Sequence, residues 1–587
     1  MFVFLLSFTL STVEEDIEMY ANTEFDPPLH LGSKLSNRKA LGDTIDVDAI
    51  QKILSSRRIP VTESDLFTRK PFRLIFDYDD AVSGADNFQC KYVGQEIAWS
   101  LNPQYTCKEE DILTDQKRES LIQTLKNVEK FISKFLKIRH SKMTLTPYFY
   151  GVDNYFNPPK KEFDVDHYVV VSVRSFSGFT IAGSLVTAHD NKTLRPLQSS
   201  IFINPRYIPS VPQDFDSIPR NYFNTLFHEC MHSLGLINDD YYLWFDKRTG
   251  KTYDAKSFIN YFHVDKYNKT FLQLCSPKAT EVAQKLLKRK TNWAGIKQCL
   301  EMEDNGGPGT IYSHPKATIF RQDLMTGTAP IDGKLSPVLC ALMDDIGFYT
   351  VNWNVCERLS WIDSYFYTDK EIHKMSEKPA RSAFPASHYY KPNSSFLAHD
   401  LRGYTAWVDI KKYDTEKDEK DIVRYKDLYI PEDKIIGSTA TYDYSLIKNP
   451  KITCLKNQWA MAVYNGTGVM GMCSESSLGK NGVFTFKDLN GTTHTCKKSQ
   501  EVKVGDYIYY CPDTDLIKKV IDFQKKLGAP FRGNLMMGDK IFIIVVSCVL
   551  VTLIIVAMVF AYCIYMKKNK TNPSAILELS DNKAPLV

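Results

Sequence analysis

The sequence lacks a strong excess of charge of either sign. Its 587 residues include 73 lysines and arginines against 69 aspartates and glutamates, a net charge of +4. So small an excess on so long a chain gives no reason to expect a nucleic-acid partner. Hydrophobic residues make up 43% and charged residues 24%, which is typical of globular proteins and argues against wholesale disorder. The length predicts roughly two to four domains.

Long uncharged hydrophobic runs are scarce, but residues 541–565 form one that is long enough to cross a membrane as a helix. Lys567, Lys568 and Lys570 follow at once, so the positive-inside bias places the tail 566–587 in the cytoplasm. A GPI signal is the competing interpretation, but the apolar run is the last part of such a signal, whereas here residues 566–587 follow it. The sequence therefore predicts a single-pass type I protein of the cell surface, with its ectodomain outside the cell.

Export of the ectodomain requires a signal at the start of the chain. Residues 1–13 form a short apolar segment that ends before Glu14, and we interpret them as a signal peptide although they lack a basic start. Residues 14–71 are polar and contain no cysteine, with basic pairs at Arg57-Arg58 and Arg69-Lys70. We interpret them as a pro-segment removed at a basic site. A loosely ordered N-terminal extension is the alternative.

Cysteines and glycosylation sequons agree with an exported chain. Two of the 13 cysteines, Cys548 and Cys563, lie in the predicted span. Ten others, an even number, can pair outside the cytoplasm: Cys90, Cys107, Cys275, Cys299, Cys340, Cys356, Cys454, Cys473, Cys496 and Cys511. Sequons for N-glycosylation begin at Asn191, Asn268, Asn393, Asn465 and Asn490.

The chain has only 12 histidines, and two of them lie in the motif His228-Glu229-Cys230-Met231-His232. On a helix, positions four apart project from one face, so both imidazoles can bind one zinc ion. Glu229 beside them can take a proton from a water molecule. The alternative is a buried amphipathic helix whose histidines are merely hydrogen-bonded. Ser217 and Pro219 suit the start of this helix, and Gly235 suits its end.

The surrounding pattern predicts an α+β domain with a mixed sheet beside the motif helix. Helical periodicity runs from Gln116 to Ile138, and strand-like runs are found at 73–76, 143–150, 167–173, 181–187 and 200–204. Cys230 points away from the face that carries the two histidines, so we expect it to be a buried free thiol.

A catalytic zinc ion needs a third protein ligand and an open position for water. The expected place, three residues after Gly235, holds Asn238, whose amide is a poor zinc ligand. Asp239, Asp240 and His263 are possible replacements, and spacing alone does not choose among them. No metal-ligand spacing links His140, His167 or His189, and we interpret these as surface or strand histidines.

Three segments of the chain resemble leishmanolysin, the surface metzincin of kinetoplastids. They are residues 299–309, Ser313-His314 and Asp323-Leu324-Met325. That family interrupts the metzincin zinc motif after its glycine and supplies the third histidine many residues later. A methionine in a tight turn then follows eleven residues beyond the third histidine, as Met325 follows His314 here. The resemblance implies that His228, His232 and His314 bind zinc, with Met325 as an apolar floor below them.

The resemblance covers roughly residues 72 to 515 and is sparse from 360 to 450. It implies a metzincin-type catalytic domain with a large insert and a C-terminal cysteine-bearing β-rich domain, and it favours a disulfide between Cys90 and Cys107. The family's pro-segment usually carries a cysteine that blocks the zinc, and this chain has none before Cys90. The expected divisions are 72–235 with the zinc helix, 236–352 with the third ligand and the methionine turn, and 353–535.

The resemblance implies a membrane-anchored extracellular zinc endopeptidase, with one Zn²⁺ per chain, that cleaves proteins and peptides with Glu229 as general base. A role in cell adhesion is a further expectation. Residues 181–187 are a candidate edge strand for an extended substrate. The first alternative is a catalytically silent adhesion or receptor glycoprotein on the same scaffold. The second is a zinc protein with His263 or Asp239 as third ligand.

Overall fold

A computed structural model of the chain describes the residues that position the candidate site. The described residues are 9–12, 68–99, 102–140, 143–145, 161–176, 180–190, 193–253, 258–264, 269–288, 298–306, 310–377, 380–390, 396–405, 410–413, 435–527, 558, 559, 561 and 564. They form a mixed α/β structure with several disulfides. The chain divides into two units, Met1–Phe531 and Arg532–Val587.

The first unit contains a five-stranded mixed sheet. Its strands are β1 (Thr9–Thr12), β2 (Leu74–Asp77), β3 (His167–Val173), β4 (Thr180–His189) and β5 (Pro196–Ile203), in the order β1-β4-β5-β3-β2. Strands β2, β3 and β5 are parallel, whereas β4 runs antiparallel to β5 and to β1. Every residue of β3 and β5 is buried, as expected for strands covered on both faces.

Two helices pack near this sheet, α1 (Asp115–Phe135) and α2 (Asn221–Ser233). α1 begins where the Thr114 side chain accepts a hydrogen bond from the Lys117 amide, the usual role of a threonine before a helix. Its buried face carries the predicted apolar residues, and α1 contacts both β2 and α2. α2 in turn contacts β4 and β5. Both helices thus contact the sheet and each other, and the motif helix lies beside β4 and β5.

A second sheet lies near the C-terminal end of the first unit. Its strands are β6 (Gln458–Tyr464), β7 (Val469–Leu478), β8 (Phe484–Lys487), β9 (Thr493–Cys496), β10 (Glu501–Val504) and β11 (Tyr507–Tyr510), in the order β9-β8-β7-β6-β11-β10. All of its pairings are antiparallel. The β-rich character predicted for this part of the chain is therefore present.

Shorter elements connect these parts. The remaining strands are Lys70–Pro71, Glu96–Trp99, Asn102–Thr106, Leu136–Ile138, Met143–Leu145, Lys161–Phe163, Phe245–Asp246, Lys251–Thr252, Ile259–Val264, Lys269–Leu274, Leu300–Glu301, Thr350–Val351, Gly403–Tyr404, Ile410–Lys412, Ile435–Gly437 and Ile452–Thr453. The remaining α-helices are Asp79–Ser83, Pro277–Leu286, Ala317–Phe320, Pro337–Asp345, Asp369–Glu377, Ala380–Ala383 and Thr514–Asp522. The 3-10 segments are Glu109–Asp111, Pro205–Tyr207, Asn238–Leu243, Trp353–Val355, Ser360–Ile362 and Ala440–Tyr442, and a π-helical turn spans Phe523–Leu527.

The ten candidate cysteines form five disulfides, and Cys230 is buried and free. The pairs are Cys90–Cys107, Cys275–Cys299, Cys340–Cys356, Cys454–Cys473 and Cys496–Cys511. Each pair closes a loop of between 15 and 24 residues. The expectation that these cysteines pair is confirmed.

Several predicted elements have different bounds in the structure. The predicted helix 116–138 ends at Phe135, and Leu136–Ile138 form a strand instead. Their alternating burial suits a strand, because Leu136 and Ile138 are buried and Lys137 is exposed. Within the predicted strand 143–150, only Met143–Leu145 are described.

The predicted membrane span is almost entirely outside the described residues. Of 541–565, the structure describes only Met558, Val559, Ala561 and Ile564, and the tail 566–587 is not described. Among the helices that the structure does describe, none has the length and apolar character needed to cross a membrane. The span, the tail and the boundaries of the predicted segments stay predictions, as does the pro-segment, of which only residues 68–71 are described.

A group of aromatic rings fixes α1 against α2. The Phe131 ring stacks on Phe215 with centroids 4.2 Å apart and meets Phe223 and Phe227 edge-on at 5.7 and 5.5 Å. We expect Phe131→Ala to lower the free energy of unfolding by about 3–5 kcal/mol, because it removes these contacts and leaves a cavity. Chemical denaturation followed by circular dichroism measures the change. Phe131→Leu is the matched control and should cost less; equal costs would contradict this account.

Candidate metal centre

The two motif histidines lie on the last turns of α2, where every residue from Tyr222 to Ser233 is buried. The helix begins at Asn221, with Arg220 before it. Ser217 therefore does not cap it as predicted; its hydroxyl donates a hydrogen bond to Asp214 in the preceding turn, at 2.7 Å.

Gly235 ends the helix as the sequence predicts. Its φ angle is +97°, in the left-handed region that glycine adopts without penalty. This turn lets the Leu236 amide donate to the Met231 carbonyl at 3.1 Å. It also brings the Leu236 carbonyl back to the His232 ring, whose Nδ1 lies 2.6 Å from that oxygen. The glycine turn thus orients the second histidine.

His314 reaches the same point from a distant segment. The Glu303 amide donates to the His314 carbonyl at 2.7 Å, and the Tyr312 amide donates to the Glu303 carbonyl at 2.9 Å. Beside it, the Ser313 hydroxyl donates to Asn238 Oδ1 at 3.1 Å. Asn238 stands where a third ligand was first sought, and in the structure it holds the segment that carries His314.

The Nε2 atoms of the three histidines converge. The distances are 2.9 Å between His228 and His232, 3.1 Å between His232 and His314, and 3.2 Å between His228 and His314. Each ring is oriented through its other nitrogen, because Nδ1 lies against a backbone carbonyl. These carbonyls belong to Leu324 at 2.8 Å, Leu236 at 2.6 Å and Thr310 at 2.9 Å, for His228, His232 and His314 respectively.

The hydrogen bonds decide where the protons lie. A carbonyl oxygen can only accept, so each Nδ1 carries a proton and each Nε2 of a neutral ring presents a lone pair. Burial lowers the pKa of His228 to about 4 and that of His314 to about 3, and the pKa of His232 falls well below its ordinary value. All three rings are therefore neutral near pH 7, with three lone pairs pointing at one another.

Such an arrangement fits a zinc ion. A tetrahedral zinc held at about 2.0–2.1 Å by imidazole nitrogens separates those nitrogens by about 3.3 Å, close to the distances found here. A cation between the rings would replace lone-pair repulsion with three bonds. Zinc ligands usually donate their other ring proton to a carbonyl or carboxylate, as all three histidines do here. The donor set leaves a fourth position for water.

Glu229 and Cys230 lie between the two motif histidines in the sequence, and both are fully buried. Cys230 has no disulfide partner, and burial raises the pKa of its thiol well above the usual value. A thiol held in its neutral form is a poor metal ligand. Among the described residues that could hold a metal ion, its sulfur does not group with the three imidazoles.

Met325 lies in a tight, buried turn directly after the carbonyl that orients His228. Asp323 organises this turn: its Oδ1 accepts from the Met325 amide at 2.7 Å, and its Oδ2 accepts from the Ser336 hydroxyl. Gly327 packs against Thr310, since a Cβ at Gly327 would lie only 2.3 Å from the Thr310 side chain. The turn therefore contacts the segment that orients His314.

A small cleft, with room for about one water molecule, lies beside His228. Its walls come from α2, including Asn224, from Leu324, and from Pro330 and Gly333 in the segment after Met325. The Asn224 amide nitrogen donates to the Gly333 carbonyl at 3.2 Å. A Cβ at Gly333 would lie 3.0 Å from the Pro330 carbonyl, so glycine allows this close packing.

The other candidates lie elsewhere or fall outside the described side chains. Asp240 contacts His189 at 3.5 Å, and His167 contacts the Ser199 hydroxyl at 2.9 Å. His140 Nε2 lies 2.7 Å from the Pro71 carbonyl. His263 is a strand residue opposite Thr270, but its side chain and that of Asp239 are not described.

Two glycosylation candidates are exposed in turns of the second sheet, Asn465 and Asn490. The other three, Asn191, Asn268 and Asn393, lie outside the described residues.

Sequence reasoning missed the residues that orient the ligands. The Asp323 side chain organises the turn of Met325, and the Asn238 side chain binds Ser313 beside His314. Lys316 is buried among acidic side chains near His314. The sequence offers one signal for Lys316: it lies two residues after His314 and follows the acidic pair Glu303-Asp304 in the same segment.

The comparisons with known proteins agree with this site. A family model described as leishmanolysin matches residues 41–371, more than half of the chain. The chain belongs to the leishmanolysin family. Membership supports a zinc metalloprotease at the level of the family.

Individual relatives are distant. Leishmanolysin of Leishmania donovani is 26% identical over 297 residues, which cover 49% of this chain and 46% of that protein. The leishmanolysin-like peptidase of Drosophila pseudoobscura pseudoobscura is 25% identical over 209 residues, 32% of this chain and 30% of the relative. The leishmanolysin homolog of Crithidia fasciculata is 26% identical over 201 residues, which cover 33% of this chain and 29% of the relative. The chain therefore matches less than half of the length of each relative.

Two substitutions compare the rival third ligands. We expect His314→Ala to reduce bound zinc from one ion per chain toward zero, because two imidazoles hold the ion far more weakly than three. His263→Ala is the matched control and should keep its zinc. Elemental analysis after dialysis against a weak chelator measures both. Loss of zinc in His263→Ala with retention in His314→Ala would show that the third ligand is His263.

Proposed function

We propose that this chain is a metzincin-type zinc endopeptidase that cleaves peptide bonds in proteins, with His228, His232 and His314 as its zinc ligands. The observation that carries the proposal is the convergence of three neutral Nε2 atoms within 3.2 Å of one another. A zinc ion at this position would supply Lewis acidity toward a peptide carbonyl and a water molecule.

The chain's own residues would perform the remaining steps. Glu229 is the proposed general base: it takes a proton from the attacking water and returns it to the departing amine. Its position next to His228 on a buried helix supports this role, because burial keeps bulk water from competing. Met325 is the proposed apolar floor of the ligand cluster, and the fully buried turn that contains it supports that assignment.

Substrate would lie along β4. In the structure β4 is not the edge strand that 181–187 were expected to form, because it pairs with β5 on one side and with β1 on the other; it packs against α2. Thr9–Thr12 already pair with it in antiparallel fashion, with Leu10 opposite Gly183, which supports its capacity to accept an extended chain. Backbone pairing of this kind gives general affinity, and pockets give side-chain preference.

Replacing the proposed base tests the chemistry apart from the metal site. We expect Glu229→Gln to keep one zinc per chain and to cleave casein about 10²–10⁴-fold more slowly, the usual contribution of a general base. The assay uses the full chain, with a chelated sample as the blank and bound zinc measured in parallel. Equal cleavage by both forms would remove Glu229 from the mechanism. If the wild-type chain binds zinc but does not cleave casein, the alternative of a catalytically silent adhesion or receptor glycoprotein is favoured.

The proposed enzyme is anchored by residues 541–565, with the catalytic part outside the cell. The support is the uncharged run followed by Lys567 and Lys568, because a charge-free segment of about 25 residues spans the apolar core of a bilayer.

Membrane fractionation tests the anchor. We expect the full chain to stay in the membrane pellet after alkaline carbonate washing, and a chain without residues 541–565 to appear in the soluble or secreted fraction. Deletion of the polar stretch 414–424 is a matched control that should leave fractionation unchanged. Release of the full chain by the wash would contradict the anchor.

A further inference from the structure

Lys316 is a buried lysine two residues after His314, and it contacts three carboxylates. Its Nζ lies 2.8 Å from Glu303, 2.6 Å from Asp304 and 2.6 Å from Asp443. All four side chains are at most 5% exposed. A buried ammonium requires such partners, because its charge is costly to remove from water. The lysine nitrogen therefore bridges the segment of His314 to Asp443, which lies 127 residues away.

Glu303 connects this ion cluster to His314 directly. Its backbone amide donates to the His314 carbonyl at 2.7 Å, and its carboxylate accepts from the Ala317 amide at 3.1 Å. The chain on both sides of His314 is thus held by one residue of the cluster. A shift of Lys316 or Glu303 would move the His314 ring relative to the other two histidines.

Residues Thr441, Tyr442 and Asp443, here called the clasp, also contact the turn that contains Met325. The Tyr442 hydroxyl lies 3.2 Å from the Thr328 hydroxyl. The Thr441 methyl group would be 2.7 Å from a Cβ placed on Gly306, so the clasp packs closely on the loop after Asp304. One short segment therefore touches both structures that orient His228 and His314.

The clasp holds an uncommon backbone conformation. Asp443, and Tyr444 directly after the clasp, have φ angles of +51° and +53°, which cost free energy for residues other than glycine. The Asp443 amide donates to the Ala440 carbonyl at 2.8 Å. The turn points the Asp443 carboxylate at Lys316, and the ion cluster offsets its conformational cost.

We propose that Asp443 and Lys316 are positioning residues of the metal centre, through which the C-terminal part of the chain sets zinc affinity by fixing His314. The inference rests on the proposed function, since it assumes that His314 binds zinc. It goes beyond the motif, because the clasp lies outside residues 41–371 that match the family. Ligand rings must be held closely for tight binding.

The decisive variant is Asp443→Gly, measured in the full chain. It removes the carboxylate while glycine accepts the positive φ angle, so the backbone itself gains no strain. We expect the zinc dissociation constant, measured by competition with a chromophoric chelator, to rise about 10-fold, the lower end of the effect of losing a direct partner of a metal ligand, because Asp443 acts on His314 through Lys316 and Glu303. Asp443→Asn keeps an acceptor oxygen for Lys316 and should restore affinity to within about threefold of wild type.

Asp86→Ala is the control for a purely structural effect. Asp86 forms an equally buried ion pair with Arg174 at 2.7 Å, and neither residue contacts the three histidines or the turn of Met325 in the hydrogen bonds and ion pairs of the described structure. We expect this variant to lower the melting temperature and leave the zinc dissociation constant unchanged.

The outcomes separate the inference from the proposed function. A lower melting temperature in Asp443→Gly with unchanged zinc affinity would overturn the inference alone, whereas a wild-type chain that binds no zinc would overturn both. If Asp443→Gly does not fold, Lys316→Gln decides, because it removes the ammonium that joins the segment of His314 to Asp443, while its amide can still donate to a carboxylate of the cluster. Weaker zinc binding in that variant supports the clasp, and unchanged binding overturns it.

Discussion

The metal centre depends on three backbone carbonyls that fix three imidazole rings. Each carbonyl accepts the Nδ1 proton of one ring, and this leaves three lone pairs directed at one point in a dry interior. Without a cation that arrangement is repulsive; with one it becomes a ligand set. The carbonyls come from the Met325 turn, the Gly235 turn and the loop before His314. The positions of the three Nε2 atoms are therefore set by these three turns and not by the histidines alone.

The fold holds those turns through contacts that are distant in sequence. Gly327 of the Met325 turn packs on Thr310, whose carbonyl orients His314. Asn238, just after the Gly235 turn, binds Ser313 next to His314. The clasp at 441–443 contacts the Met325 turn and the ion cluster of Lys316. The segments that orient the three ligands thus contact one another, so a structural change at one turn should shift the others.

The sequence predicted the local elements well where the apolar pattern is strong. The strand 167–173 and the motif helix were expected and are present. Helix bounds were less accurate: Leu136–Ile138 continue the apolar spacing of α1 but pair in a sheet, because tertiary contacts override local propensity. The prediction that Ser217 suits the start of α2 was wrong for a local reason, since its hydroxyl donates to Asp214 in the preceding turn.

By itself the sequence determined the spacing of His228 and His232, because four residues on a helix fix two side chains on one face. It also determined the left-handed turn at Gly235, since that conformation favours glycine. It left Asp239, Asp240 and His263 open, and only the family resemblance pointed to His314. Tertiary structure alone brings His314, 82 residues beyond His232, to 3.1 Å from it. Helix geometry relates side chains that are three or four residues apart. The distance between His232 and His314 depends instead on how every intervening segment packs.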